Sequence, residues 1–314
     1  MFDVVPLGTG SALPTRTRHL SGTAVRREGS LFLFDCGEAT QLQVLRGGLA
    51  RGHLEAVFIT HLHGDHLYGL PGLLTTLALL ERTDPLPVIG PPGLEAFVRA
   101  VPGLARRDPP YRVEVQEWAE GLEHEVVFAN DALTVEARPL DHRVPCAGYR
   151  LEERERPGSI DGEGARAAGV TEGWQFEALK RGEAVTLADG TELAPDGLVG
   201  PPKPGAVFAY VLDSVPCDGG RALARGADLL LHEATFAEAH AERAAAVGHS
   251  TARQAAEVAR DAGARRLLLT HFSARYRDVQ PLVDEARAVF PESEAAQELA
   301  RYEVRARAAA RSVG

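Results

Sequence analysis

Three histidines and an aspartate, His61, His63, Asp65 and His66, fall within the six residues HLHGDH, directly after the apolar run AVFIT at 56–60. Imidazoles and carboxylates hold zinc at about 2.0–2.2 Å, and catalytic zinc sites leave one position open for water. In an extended segment residues i and i+2 point the same way, so His61 and His63 can grip one ion. Asp65 and His66 come after the chain turns into a helix and can address a second ion, and Gly64 is expected to permit the sharp turn between them. Two ions about 3.5–4 Å apart form a clamp suited to phosphodiester displacement or other hydrolysis. A lone histidine would read as a loop or capping residue. Four ligand-type residues in six, just past a buried strand, point to metal.

Other candidates sit at the same kind of place. His142 ends LTVEARPLDH, Asp213 lies in VFAYVLDS, His232 and Glu233 in DLLLHEATF, and His271 in RRLLLTHFS. In α/β folds the C-terminal ends of strands share an edge, and sites form there. Each of these residues alone is compatible with a capping or core role, but together with the 61–66 cluster they define one coherent edge. His249, in GHSTARQ, precedes a helix whose expected N-cap is Ser250.

These residues need strands to carry them. FDVVPLGTG, the hairpin pair GTAVRR and SLFLFDCG, LEAVFIT and PLPVIGPPG read as strands in the first half. EATQLQVLRGG, LYGLPGLLTTLALLERT and LEAFVRAV read as helices. YRVEVQEW, EVVFAND, LTVEARPLDH and CAGYRLEE follow as strands. After about residue 206, the strands AVFAYVLDS, DLLLHEATF and ARRLLLTHFS alternate with the helices RALARGA, STARQAAEVARDAG and DVQPLVDEARAVF. Alternation in both halves predicts an α/β architecture of two sheets sandwiched between helices, one domain over 1–314. The stretch 151–206 is rich in Gly, Pro and charge and poor in long apolar runs, and reads as an inserted, mobile arm rather than core.

Bulk composition narrows the function classes. Net charge is −10, whereas a duplex-coating protein is normally basic. A local basic patch can still dock phosphates on an acidic protein, and a metal site built from aspartates adds formal negative charge that bound cations cancel. No apolar run approaches the length of about 18 residues that suggests a membrane span, and MFDVVPLGTGSALP lacks the pattern of a secretory signal. Cys36, Cys146 and Cys217 lie in unrelated contexts and imply no disulfide framework, so the expected location is the cytoplasm.

HLHGDH resembles the HxHxDH signature of the metallo-β-lactamase superfamily, and His142, Asp213 and His271 fall in the order of its later ligand motifs. Within that superfamily the chain resembles the ribonuclease Z family of tRNA 3′-processing endonucleases. LGTGSALPTRTRHLSGTAV, FLFDCGEATQLQVLR, HLHGDHLYGLPGLL, LLHEATF, HSTARQAAEVA and LTHFSARY carry the resemblance, which spans about 2–305. It implies an αββα sandwich and two zinc ions per subunit, with manganese or another divalent ion as a substitute. One ion falls to His61, His63 and His142, the other to Asp65, His66 and His271, with Asp213 bridging. It further implies that Asp65 orients the attacking water and that His249, assisted by Glu233, protonates the leaving 3′-oxygen. Arg275 in HFSARY could hold phosphate oxygens as a bidentate fork. The inserted arm would grip precursor tRNA, with Lys180 and Arg181 as phosphate contacts, in a homodimer where one subunit's arm holds the RNA cut by the other. TEGWQF stands where many relatives carry a Gly-Pro-containing motif, and LDS where GDT is usual. Hydrolysis of a small molecule on the same fold is the alternative. A dead-site scaffold would be expected to lose ligands, and a redox di-iron relative would usually carry Glu where His63 stands.

Overall fold

The computed structural model describes residues 1–101 and 111–307. These fall into two compact units: Met1–Glu152 together with Ala206–Arg305, and a second unit that contains Glu153–Gly205.

The first unit is built on two seven-stranded sheets. One runs, in spatial order, Tyr302–Val304, Phe2–Gly8, Gly22–Arg27, Ser30–Phe34, His53–Phe58, Leu86–Gly90 and Val113–Glu117. The other runs Ser293–Ala295, Leu267–Thr270, Leu229–Glu233, Val207–Val211, Ala147–Glu153, Leu133–Pro139 and Glu125–Ala129. Side chains alternate across a strand, and the sequence uses that period to sort its apolar residues. Phe32, Phe34, Phe58, Tyr149, Phe208 and Tyr210 are fully buried and meet between the sheets; Phe34 lies 5.8 Å from the Phe208 ring centroid and 5.5 Å from that of Tyr210. Their neighbours Leu31, Leu33 and Val57 face outward and pack beneath the helices Thr40–Arg46, Leu70–Leu79 and Leu94–Arg99. On the second sheet Val207, Ala209 and Val211 face outward. They meet the helices Asp218–Ala224, Ala252–Asp261 and Gln280–Arg287, of which Ala252–Asp261 approaches closely through Ala252, Ala255, Ala256 and Ala259. The layers are thus helix, sheet, sheet, helix, as the alternation predicts.

Four neighbouring strands from Ser30–Phe34 to Val113–Glu117 are parallel, as are those from Val207–Val211 to Ser293–Ala295. Parallel pairing requires a crossover between consecutive strands, so their C-terminal ends point one way. Asp35, the 59–66 segment, Asp213, Glu233 and His271 all follow directly from such ends.

Three local expectations change. The apolar helix behind the histidine cluster is two pieces, Gly64–Leu67 and Leu70–Leu79, broken at Tyr68–Gly69. Gly64 has no left-handed backbone, because it is the first residue of the short helix. A Cβ there would meet the Tyr68 ring at 2.4 Å, so the glycine makes room for a ring rather than for a turn. The helix after His249 is capped by Thr251, whose hydroxyl accepts from the Gln254 amide while Gln254 accepts from the Thr251 amide, and not by Ser250, which donates to the Ser214 carbonyl.

The second unit has a core of its own. Helices Gly162–Ala167 and Gly173–Lys180 and the two-stranded pair Val185–Thr186 with Glu192–Leu193 enclose Ala165, Val170, Ala178, Leu179 and Val185. Phe176 packs against this core beneath Arg166, whereas Trp174 is 61% exposed. The apolar residues come in ones and twos among glycines and charges, so no long run announces them. Arg156 and Lys203 exchange both backbone hydrogen bonds (2.9 and 2.8 Å), which brings the two ends of the segment together.

Candidate metal centre

Two groups of ligand atoms assemble at the common edge of the two sheets. His61, His63, His142 and Asp213 form one, and Asp65, His66, Asp213 and His271 the other, each with its atoms within 4.8 Å of one another. In the first, His63 Nδ1 lies 2.9 Å from His61 Nε2 and 3.4 Å from His142 Nε2, and Asp213 Oδ2 lies 3.6 Å from His61 Nε2. In the second, His66 Nε2 and His271 Nε2 are 3.2 Å apart, and each is within 3.5 Å of Asp213 Oδ1 and Asp65 Oδ2. Ligands that surround one zinc tetrahedrally at about 2.0–2.2 Å lie about 3.4 Å from each other, the spacing seen here.

The chemistry of these atoms also fits cations. The outward ring nitrogens of His61, His66, His142 and His271 meet partners that fix the tautomer. His66 Nδ1 donates to Asp35 (2.8 Å), His142 Nδ1 to the Gly248 carbonyl (2.8 Å), and His61 Nδ1 to Thr60 Oγ1 (2.9 Å). Thr235 Oγ1 donates to Glu233 (2.6 Å) and accepts from His271 Nδ1 (3.0 Å). The inward nitrogens of these rings face carboxylate oxygens and one another within 3.6 Å. Asp213 Oδ1 is buried and makes no hydrogen bond although two imidazoles stand 3.1 and 3.3 Å away. A divalent ion in each group would satisfy these atoms.

The same demand appears in the titration of the groups. Burial disfavours charge on His61, His63 and His142 and lowers their pKa, leaving neutral imidazoles ready to bind metal. Burial opposes charge on His66 too, but Asp213, Asp35 and Asp65 outweigh it and raise its pKa well above the usual value. Burial acts to raise the pKa of Asp65 and Asp213, yet the His66 and His271 imidazoles hold both well below the carboxylate range.

Backbone strain marks the same places. Asp35, Asp213 and His271 adopt left-handed conformations with φ of 58°, 45° and 57°, costly for residues with a side chain and kept where the surroundings overdetermine them. Gly248, at φ 75°, lets the chain approach His142, because a Cβ there would come 2.9 Å from Nδ1.

Beside the second group His249 Nδ1 lies 3.0 Å from Glu233 Oε1, and its ring centroid is 5.5 Å from that of His271. Burial works against a charged His249, but the Glu233 carboxylate outweighs it and its pKa is pushed up to about 9. Glu233 also accepts from the Ser214 amide (2.7 Å), so the altered LDS stretch supports the pair. A cavity of about 420 Å³ opens onto Asp65, Asp213, His249 and His271.

The structure brings Asp65, His249, Glu233 and all seven predicted ligand positions together. His232 is buried with Nδ1 on the Glu233 carbonyl and belongs to none of the groups. Arg275 stacks over Phe236 (4.7 Å) and donates to Ser273 (3.1 Å), and does not line the cavity. Lys180 and Arg181, in the second unit, pair with Glu177 and Glu183, each at 2.8 Å.

Several supporting residues escape the sequence reading. Asp35 accepts from His66, Tyr210 (3.0 Å) and the Thr60 amide (2.8 Å). It ends the apolar run SLFLF, the same signal that singles out Asp213 and His271. The amide of Ala12 donates to Asp65 Oδ2 (2.8 Å), and the loop that carries it is held by Glu298, which accepts from the amides of Thr9 (3.1 Å) and His19 (2.7 Å) and pairs with the His19 ring (2.6 Å). No local pattern links positions so far apart in the chain.

A family model described as a beta-lactamase superfamily domain matches residues 31–160 and 167–272. Ribonuclease Z of Salinibacter ruber is 55% identical over 304 residues, 96% of this chain and 94% of that protein. Ribonuclease BN of Cronobacter sakazakii is 45% identical over 302 residues, 95% and 98% of the two chains. Among solved structures, human tRNase Z, short form, superposes with a TM-score of 0.67 at 29% identity, covering 96% of this chain and 98% of that one.

Proposed function

Because the chain belongs to the ribonuclease Z family of the beta-lactamase superfamily, we propose that it removes the 3′ trailer from precursor tRNA by hydrolysing one phosphodiester and leaving a 3′-hydroxyl on the tRNA. The observation that carries this reading is the convergence of seven ligand positions and a carboxylate–histidine pair, with Asp65, Asp213, His249 and His271 open to one cavity. His61, His63 and His142 would hold one zinc ion, Asp65, His66 and His271 the other, and Asp213 both; His/Asp sites also accept manganese. Two such ions supply polarisation of the phosphodiester and a more acidic attacking water.

The protein's own groups do the rest. Asp65, fixed by the Ala12 amide, orients the water and takes its proton. His249, kept protonated by Glu233, donates a proton to the departing 3′-oxygen. The Glu153–Gly205 unit supplies a tRNA exosite, where Lys180 and Arg181 exchange local carboxylates for phosphates. Leu42 and Leu45 on one helix and Leu79 and Leu80 at the end of the helix packed against it are exposed and would serve a homodimer, which sedimentation would register as twice the 33.6 kDa chain. No helix among the described residues is long and apolar enough to cross a membrane, and the reading places the enzyme in the cytoplasm with its RNA substrate.

Incubation of a 3′-extended tRNA transcript with the zinc- or manganese-loaded protein tests this. A single cut at the end of the acceptor stem supports it. Intact tRNA alongside hydrolysis of a small chromogenic diester would assign the centre to a small substrate instead.

A further inference from the structure

The cavity beside the ligand cluster is larger than the reacting phosphate requires, and two of its lining residues have no part in the chemistry above. Its walls carry the carboxylates of Glu38, Asp65 and Asp213 and, among the described residues, one permanent cation, Arg143. Arg143 follows His142 directly, and its Cγ would lie 3.4 Å from a Cβ at Gly248, which places its stem over the His142–Gly248 contact. Its charge is felt at His63. The guanidinium is exposed and has no hydrogen-bond or ion-pair partner among the described residues, whereas Arg275 is already engaged by Phe236 and Ser273.

Tyr68 also lines the cavity, with 65% of its surface exposed. Its ring is seated against the backbone of Gly64 and lies parallel to Phe97, 9° apart in plane and 6.4 Å between centroids. An aromatic ring held in place and left open at a polar cavity offers a stacking platform, and stacking tolerates any base.

We propose that Arg143 and Tyr68 form a nucleotide subsite next to the cut, Arg143 holding an RNA phosphate adjacent to the scissile one and Tyr68 stacking on a neighbouring base. A polyanion entering a cavity lined by carboxylates needs a positive contact besides the metal ions. Arginine supplies it as a planar fork that matches phosphate oxygens. The subsite rests on the ribonuclease reading and deepens it, since a small diester has neither the second phosphate nor the base.

Steady-state cleavage of a 3′-extended tRNA transcript across a potassium chloride series tests the proposal in the wild type and in Arg143→Ala, Arg143→Lys, Tyr68→Ala and Tyr68→Phe. Arg143→Ala is expected to raise KM about 10-fold and to flatten the plot of log KM against log salt by about 0.7–0.9, the signature of one lost phosphate contact. Arg143→Lys keeps the charge and restores the slope. Tyr68→Ala is expected to raise KM about 10-fold without changing the slope, and Tyr68→Phe to restore it. Zinc content and melting temperature, read in parallel, should match the wild type. An unchanged slope in Arg143→Ala, or an unchanged KM in Tyr68→Ala, overturns the subsite while the ribonuclease reading stands. A wild-type protein that leaves tRNA intact sinks both.

Discussion

At the residue scale, each group at the centre is defined by what holds its far side. Asp65 is gripped by a backbone amide and two imidazoles, which keep it ionised and aimed. In the proposed mechanism, replacing it with alanine removes a ligand and the proton acceptor together, and tRNA cleavage should fall by at least about 100-fold. Near-normal turnover of Asp65→Ala in a single-turnover assay would refute its role. As the proposed proton donor, His249 would act only while protonated, so activity is expected to decline as pH rises through its pKa. Glu233 raises that pKa, and Glu233→Gln must lower it. The alkaline limb of the pH–rate profile is therefore predicted to move to lower pH in Glu233→Gln, and a limb that stays in place would separate the two residues functionally. The candidate ligands were legible because HLHGDH packs four ligand-type residues into six and the others follow apolar strands. Asp35 obeys the same strand-end rule, but in SLFLFDCG an aspartate two residues before a glycine reads equally as a turn.

At the scale of elements, the ligand groups are only as well placed as the two sheets that carry them. The sheets are registered by rings that interdigitate, Phe34 touching Phe58, Tyr149, Phe208 and Tyr210. Phe34→Ala is expected to cost about 3–5 kcal/mol in urea unfolding, the range for emptying a buried aromatic site. A loss under about 1 kcal/mol would show that this contact does not govern the packing. Alternating and helical periods made the layers and most strands readable. The break at Tyr68–Gly69 was not, because the apolar run continues through it and the close approach of Gly69 to the Gly37 backbone is invisible in the local pattern. Nor was the small core of the Glu153–Gly205 unit, whose apolar residues converge without forming a run.

At the scale of the whole molecule, that unit is joined through a stem whose two strands pair at Arg156 and Lys203. A short glycine linker can therefore replace residues 157–202. The variant is predicted to stay folded, to lose about 10-fold or more in tRNA binding and to keep its turnover of small diesters. Equal loss on both substrates would contradict an exosite. The first unit is sewn in another manner, for Phe2–Val4 pair with Tyr302–Val304, and Glu298 clamps the loop whose Ala12 amide steadies Asp65. Ribosomes deliver His61 long before His271 and Glu298, so a nascent chain cannot own a finished centre during most of its synthesis. Chains stalled before Glu298 should be inert toward tRNA, the centre being completed only when the last strands arrive.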